Sequence, residues 1–174
     1  MCVPETVTVR PARVDDIDEL VAMWTRYMRI HALNPAYRRL RTDAIETRAG
    51  MFRRHIEEAT SVVFVLEAED GGLDGMLVCF VEENEPLFDP PRYVRIQTPF
   101  VRREERRKGN LRRLLRAAFE WAADWDIHEV RLFTGADNLI ANALADDLGF
   151  EAIEVVRRYS LRPEPEMNPE DWLE

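Results

Sequence analysis

Residues 101–115, VRREERRKGNLRRLL, decide how the rest of the chain is read. They leave an extended run, pass through a basic turn holding one glycine, and enter a segment where Leu111, Leu114, Leu115, Ala118, Phe119 and Ala122 recur at three- and four-residue spacing. That spacing is the apolar stripe of a helix packed on a core. Gly109 stands just before the stripe, where the lack of a side chain lets backbone N–H groups approach a ligand. The first N–H groups of a helix have no intrahelical acceptor and carry the positive end of its dipole, so a phosphate is stabilised there. Arg106, Arg107, Lys108 and Arg112 add charge-assisted contacts, and a pyrophosphate is the ligand that suits the arrangement. From Arg102 to Arg116 there are eight Lys or Arg and two Glu, a local charge of +6 in a chain of −9, which leaves −15 for the rest. A basic run on a helix is often only a solvated face. Here the succession of strand, glycine turn and amphipathic helix argues for a site. The patterns G-x-G-x-x-G and G-x-x-x-x-G-K-[ST] are both absent, so neither a dinucleotide fingerprint nor a P-loop is supported.

The 174 residues suffice for one domain with a core that needs no staples. We assign residues 1–162 to that domain and 163–174 to a tail, whose three Pro, five acids and no base predict poor packing. Cys2 and Cys79 cannot make a disulfide framework, and Cys79 lies in an apolar run as a buried thiol would, so a reducing, cytoplasmic setting is expected. The opening MCVPETVTVR has no apolar signal core, and no uncharged run approaches the roughly 20 residues that cross a bilayer, so no membrane partner is expected. The net charge of −9 argues against a general nucleic-acid binder, whose affinity rests on neutralising many phosphates. An RNA or DNA partner gripping residues 102–116 is the rival reading of the basic run.

Residues 7–10 alternate as a short strand. Asp15 or Asp16 then offers an N-cap for a helix carrying Ile17, Leu20, Val21, Trp24 and Met28, which Asn34-Pro35 should end. A second helix is expected over residues 42–58, with Ile45, Met51, Phe52 and Ile56 on its stripe and Gly50 against it. Residues 61–67 (SVVFVLE) and 75–81 (GMLVCFV) read as a hairpin around Asp70-Gly71-Gly72. A third long strand covers residues 93–101, and the central helix ends near Trp125 or Asp126. Residues 129–134 (EVRLFT) form another strand, 138–148 another helix and 152–161 a final strand. Strand-helix-strand units after a meander predict a mixed, mostly antiparallel α/β sheet with helices on both faces.

Two motifs in this frame resemble those of the GNAT superfamily of N-acetyltransferases. The phosphate-binding pattern of that family, Gln or Arg, two residues, Gly, one residue, then Gly or Ala, is similar to Arg106-Arg107-Lys108-Gly109-Asn110-Leu111. Its later motif resembles Asn138, Ala141, Leu144, Ala145 and Gly149-Phe150. The resemblance implies an acetyltransferase using acetyl-CoA as cosubstrate, no metal, and an amine acceptor. It implies that backbone groups of Phe100 and Val101 hold the pantetheine arm and the thioester carbonyl. Arg106, Arg107, Lys108, Gly109, Asn110, Leu111 and Arg112 would hold the pyrophosphate, and Asn138 would meet the pantetheine. Asn138 is equally suited to capping its own helix. Many relatives are dimers through their last strands, and the apolar run at residues 153–156 permits a homodimer here.

Three positions depart from the family pattern. Leu111 replaces a Gly or Ala, Ala145 replaces a Tyr that protonates the leaving thiolate, and Gln97 replaces a Glu that often serves as general base. The catalytic acid and base are therefore open. Candidates are Glu82, Glu83 and Glu85 after the hairpin, Tyr93 at the start of the next strand, and His31 between the first two helices, while His55 and His128 read as surface residues. No His and Cys spacing suggests a metal site. Trp24, Tyr27, His31, Tyr37 and Asp89 would suit a cationic amine, although Trp24 sits on the helix stripe as a core residue. The alternative to catalysis is a GNAT-like protein that holds an acyl-CoA and has lost the chemistry.

Overall fold

A computed structural model describes residues 7–32, 34–37 and 39–161. Among these residues one sheet has five strands in chain order, β1 (Thr8–Pro11), β2 (Ser61–Glu67), β3 (Leu73–Glu83), β4 (Arg92–Val101) and β5 (Val130–Leu132). The first four are antiparallel, and β5 runs parallel to β4. The β2–β3 turn closes with Ala68 N–H donating to Gly72 O at 2.8 Å, and Gly71 adopts φ +86°, which an L side chain would resist.

Alternation along the strands makes two apolar layers. Val63, Val65, Met76, Val78 and Phe100 pack under α1 (Ile17–Ile30) and α2 (Ala44–Glu57), through Leu20, Met23, Trp24, Met28 and Phe52. Phe64, Leu66, Leu77, Cys79, Val94, Ile96 and Val101 pack under α3 (Asn110–Asp124), through Leu114, Leu115, Ala118 and Ala122. Helices on both faces of a mixed sheet are thus present, and Trp24 and Cys79 are in the core as expected.

Several local expectations need correction. Residues 151–160 form no strand and are exposed, with Ile153 at 64%, Val156 at 86% and Tyr159 at 87%. Their β-branched composition fits a strand, but a strand requires a neighbour for its backbone groups, and no described strand pairs with them. The 129–134 strand shrinks to the three residues of β5. The carboxylate of Asp16 does not cap α1. It accepts from Arg13 N–H at 2.6 Å and from both Nη groups of Arg10, at 2.8 and 3.1 Å. Ile45 and Phe119 are exposed despite lying on stripes, whereas Arg48 takes an inner position on α2. His55 is half-buried and stacked on Phe80, with ring centroids 5.4 Å apart. The last helix, α4 (Leu139–Asp147), has no buried residue. The tail beyond residue 162 lies outside the described residues.

Candidate active site

The site begins where β4 and β5 part. Their pairing covers Val94, Arg95 and Ile96 opposite Val130, Arg131 and Leu132, and β4 continues alone from Gln97 to Val101. On the other edge, the β3 register steps from Val78 opposite Gln97 to Met76 opposite Phe100, so Thr98 and Pro99 together face Leu77. One extra residue of this kind is a β-bulge, which bends the strand and re-aims side chains. Thr98 takes a left-handed φ of 52°. Val94 and Ile96 point to α3, so simple alternation would send Thr98 there too; instead its hydroxyl meets Arg48 of α2 on the opposite face. Beyond the bulge Arg102 N–H donates to Asp74 O of β3 at 2.8 Å, and alternation turns the Val101 amide the other way, into the gap. Gly75 lies so close under β4 that a Cβ there would be 2.8 Å from Phe100 O.

The basic turn follows directly. A 3₁₀ turn, Arg103–Glu105, leads to Arg107 at φ 63° and Gly109 at φ 81°, and α3 starts at Asn110. Buried Asn110 fastens the turn: Nδ2 donates to Glu105 O at 3.1 Å, and Oδ1 accepts from Arg113 at 2.7 Å. The amides of Asn110, Leu111 and Arg112 open the helix with no acceptor one turn behind them. The cations divide into two groups. Arg106 Nε donates back to Val101 O at 3.0 Å, and Lys108 pairs with Glu105 at 2.8 Å. Arg107 and Arg112 are exposed and form no ion pair among the described residues. A cleft of about 650 Å³ near the β2–β3 turn is lined by Glu19, Glu67, Asp70, Asp74, Arg102 and Glu105. Its acidic wall, and the hold of Glu19 on Arg102 at 2.8 Å, make it unsuited to an anion.

Two loops meet beyond the end of β5. Asn138 accepts from Ala141 N–H at 3.2 Å, so it does cap α4. Gly135, just before it, would place a Cβ 2.8 Å from Asn34 Nδ2, which brings the β5–α4 loop against the α1–α2 loop. In the latter loop His31 packs between Tyr27 at 4.3 Å and Tyr37 at 5.9 Å. Burial holds the His31 imidazole below its ordinary value, partly opposed by Asp137, and so favours the neutral ring at pH 7. Burial likewise pushes the Tyr27 phenol up, helped by Tyr37.

The other base candidates lie elsewhere. Glu82 accepts from Tyr93 Oη at 2.6 Å and from Arg95 at 3.0 Å, and Arg131 lies 3.8 Å over the Tyr93 ring. This cluster sits at the start of β4, where β5 is still paired, and the Glu82 oxygens already have donors. Glu83 and Glu85 are exposed, as is Asp89 in the β3–β4 connection. Among the described residues no group of three or more His, Cys, Asp or Glu is placed to hold a metal ion.

Sequence reading passed over Arg48. It is 6% exposed, and burial pushes it down to about 10, so it stays charged at neutral pH. Its guanidinium carbon lies 4.3 Å from the Phe52 ring centroid and 5.7 Å from that of Trp24. Such contacts contribute about 2 kcal/mol when desolvated, against a burial penalty of several kcal/mol. The available signal was a charged residue four positions before Phe52, on the apolar stripe of α2.

A profile of the Acetyltransferase (GNAT) family matches residues 19–150. The chain belongs to the GNAT family. It is therefore an acyltransferase, and the motifs at Arg106 and Asn138 fall inside the matched span. No protein of curated function matches the sequence. Solved structures similar to this GNAT chain share its fold. A mutant form of the BH1408 protein of Bacillus halodurans has 18% identity and a TM-score of 0.78, over 89% of this chain and 99% of that one. A predicted acetyltransferase of Clostridium acetobutylicum, solved with acetyl-CoA, has 16% identity and a TM-score of 0.74, over 90% and 97%. The aminoglycoside antibiotic 6'-N-acetyltransferase of Acinetobacter baumannii has 18% identity and a TM-score of 0.69, over 91% and 99%.

Proposed function

We propose that the protein moves an acetyl group from acetyl-CoA to a primary amine by direct attack, without a metal or a covalent enzyme intermediate. The observation that carries this is the parting of β4 from β5, with the Val101 amide facing the gap and the Gly109 turn at its end. Acetyl-CoA, when bound, supplies the acetyl thioester. The amides opening α3, with Arg107 and Arg112, hold its pyrophosphate, and the Asn138 side chain meets the pantetheine. Phe100 and Val101 align the arm along β4. The amine nitrogen attacks the thioester carbon, the C–N bond forms, and the C–S bond breaks with its electron pair leaving on sulfur. Val101 N–H donates to the carbonyl oxygen as it gains charge, and a donor of this kind contributes roughly 10² to 10³ in rate. A main-chain donor survives any side-chain change. A thiol with a reference value near 8.5 leaves tolerably as thiolate, which lessens the loss of an acid at Ala145. His31, held neutral, is the base or shuttle we favour, since Glu82 is engaged by Tyr93 and Arg95.

Gln97, Ala145 and Leu111 favour a second reading, an acyl-CoA-binding protein without turnover. The test is thermal stabilisation by acetyl-CoA against its dephospho and desulfo analogues, since a ligand of the native state raises the midpoint. Thiol release over an amine panel then separates transferase from binder. No shift, together with salt-sensitive oligonucleotide binding, would replace both with the nucleic-acid reading. We further propose a homodimer, supported by the exposed Ile153, Val155, Val156, Tyr159 and Leu161; a monomer mass in light scattering removes it. Among the described residues no helix is long and apolar enough to cross a membrane, and we place the protein in the cytoplasm.

A further inference from the structure

We propose that the amine acceptor carries a carboxylate and that Arg48 is the group that receives it, an inference that rests on the transferase reading above. The side chain is buried in the layer between α1, α2 and the sheet, yet its hydrogen-bonding capacity is only partly used. Nη2 donates to Thr98 Oγ1 at 3.2 Å, and buried Nε has no acceptor. Arg48 forms no ion pair among the described residues. A guanidinium presents five N–H donors in one planar fork, a shape that a carboxylate matches with two parallel bonds. A cation so buried without an anion lacks the partner that its desolvation calls for.

The position of Arg48 says which anion. Thr98, its one side-chain hydrogen-bond partner among the described residues, is the re-aimed residue of the bulge, on the stretch of β4 where β5 has departed. A carboxylate on the Arg48 fork would therefore lie beside the point of acyl transfer, within a few bonds of the reacting nitrogen. Trp24 and Phe52 offer ring faces, and Tyr27, with its phenol held protonated, is a neutral neighbour. A polyamine or an aminoglycoside would bring positive charge to a buried cation. Trp24 and Tyr27, two of the residues that suggested a cationic acceptor, thus already neighbour a cation belonging to the protein, which inverts that expectation. The class that fits is the small amino acids.

The experiment measures thiol release from acetyl-CoA with matched sets: an amino acid, its carboxamide, and the same amine lacking the carboxyl group. The kcat/KM for the acid should exceed that for the carboxamide at least tenfold. In Arg48→Gln the ratio should fall below twofold, and Arg48→Lys should restore part of it. Calorimetry with acetyl-CoA and the melting midpoint report whether each variant is folded and binds the coenzyme. Should Arg48→Gln fail to fold, the wild-type sets decide alone. A wild-type protein that binds acetyl-CoA but uses carboxamides, polyamines or aminoglycosides as well as the acids overturns the proposal and leaves the transferase reading standing. The proposal is equally overturned if acetyl-CoA binds and no amino acid raises the midpoint in the presence of coenzyme A. A protein that binds no acetyl-CoA overturns the transferase reading, and this inference with it.

Discussion

Gly75→Ala puts a methyl group where β3 and β4 leave no room. The Cβ would lie 2.8 Å from Phe100 O and 3.4 Å from both Leu114 Cδ1 and Val101 Cγ2. A side-chain end could rotate aside, but a backbone oxygen cannot, so the two strands must separate or the Phe100 peptide must turn. Overfilling a packed core costs about 1–3 kcal/mol, and we expect about 2 kcal/mol here. For a chain of this size that lowers the midpoint by about 4–8 °C. Gly50→Ala is the control: no atom lies within 4 Å of its Cβ, and exchanging Gly for Ala inside a helix gains about 0.5–1 kcal/mol. Urea unfolding of both variants should give changes of opposite sign. Phe100 and Val101 border the gap, so Gly75→Ala should also weaken acetyl-CoA binding about tenfold in calorimetry, in keeping with the sensitivity of positioned sites to small displacements. A Gly75→Ala protein within about 0.5 kcal/mol of wild type, the usual spread for neutral sites, would refute the close approach of the strands and the reasoning built on it.

Arg107→Ala combined with Arg112→Ala should weaken acetyl-CoA binding by about tenfold or more with an unchanged far-UV spectrum, because the charge-assisted phosphate contacts are lost and the core is untouched; calorimetry measures it. Asn138→Asp keeps an acceptor for Ala141 N–H, so the midpoint should hold, while the KM for acetyl-CoA rises if the amide also serves the pantetheine; unchanged steady-state kinetics leaves only the cap. The hydrogen bonds of Arg10 hold the Asp16 carboxyl below its ordinary value. A depressed folded-state value stabilises above the unfolded value of about 3.9 and is lost as pH falls through the folded one. Asp16→Asn should therefore cost about 1–2 kcal/mol at pH 7, a cost that shrinks steadily as pH is lowered from about 3.9 toward the depressed folded value, read from denaturant titrations across that range.

Much of this architecture was open to inference because its signals are local and periodic. The stripe from Leu111 to Ala122 and the SVVFVLE and GMLVCFV runs each state their own period, and the glycine turns separate them. Residues 153–156 show the limit. Valine and isoleucine favour extended backbone, but only a neighbouring strand makes a ladder, and that neighbour is a tertiary fact. The bulge was hidden for a related reason. Thr98 and Pro99 look like any two residues in a strand until the partner's register is known. Arg48 was masked by its charge, which argues for a solvated face unless its place on the stripe is weighed first. The basic turn was legible as a turn, but the division of its cations was not, since Arg106 and Lys108 are engaged by Val101 O and Glu105.

The single surplus residue in β4 sets regularity against usefulness. With Pro99 deleted, Phe100 and Val101 would keep their layers, Thr98 would swing back toward α3, and β5 would have an even edge to zip along. Such a chain would have a tidier sheet and a shut cleft, with Arg48 stripped of its hydrogen bond to Thr98. Selection for thermal robustness alone would push toward that deletion, so the irregularity persists only as long as something must fit between the two strands.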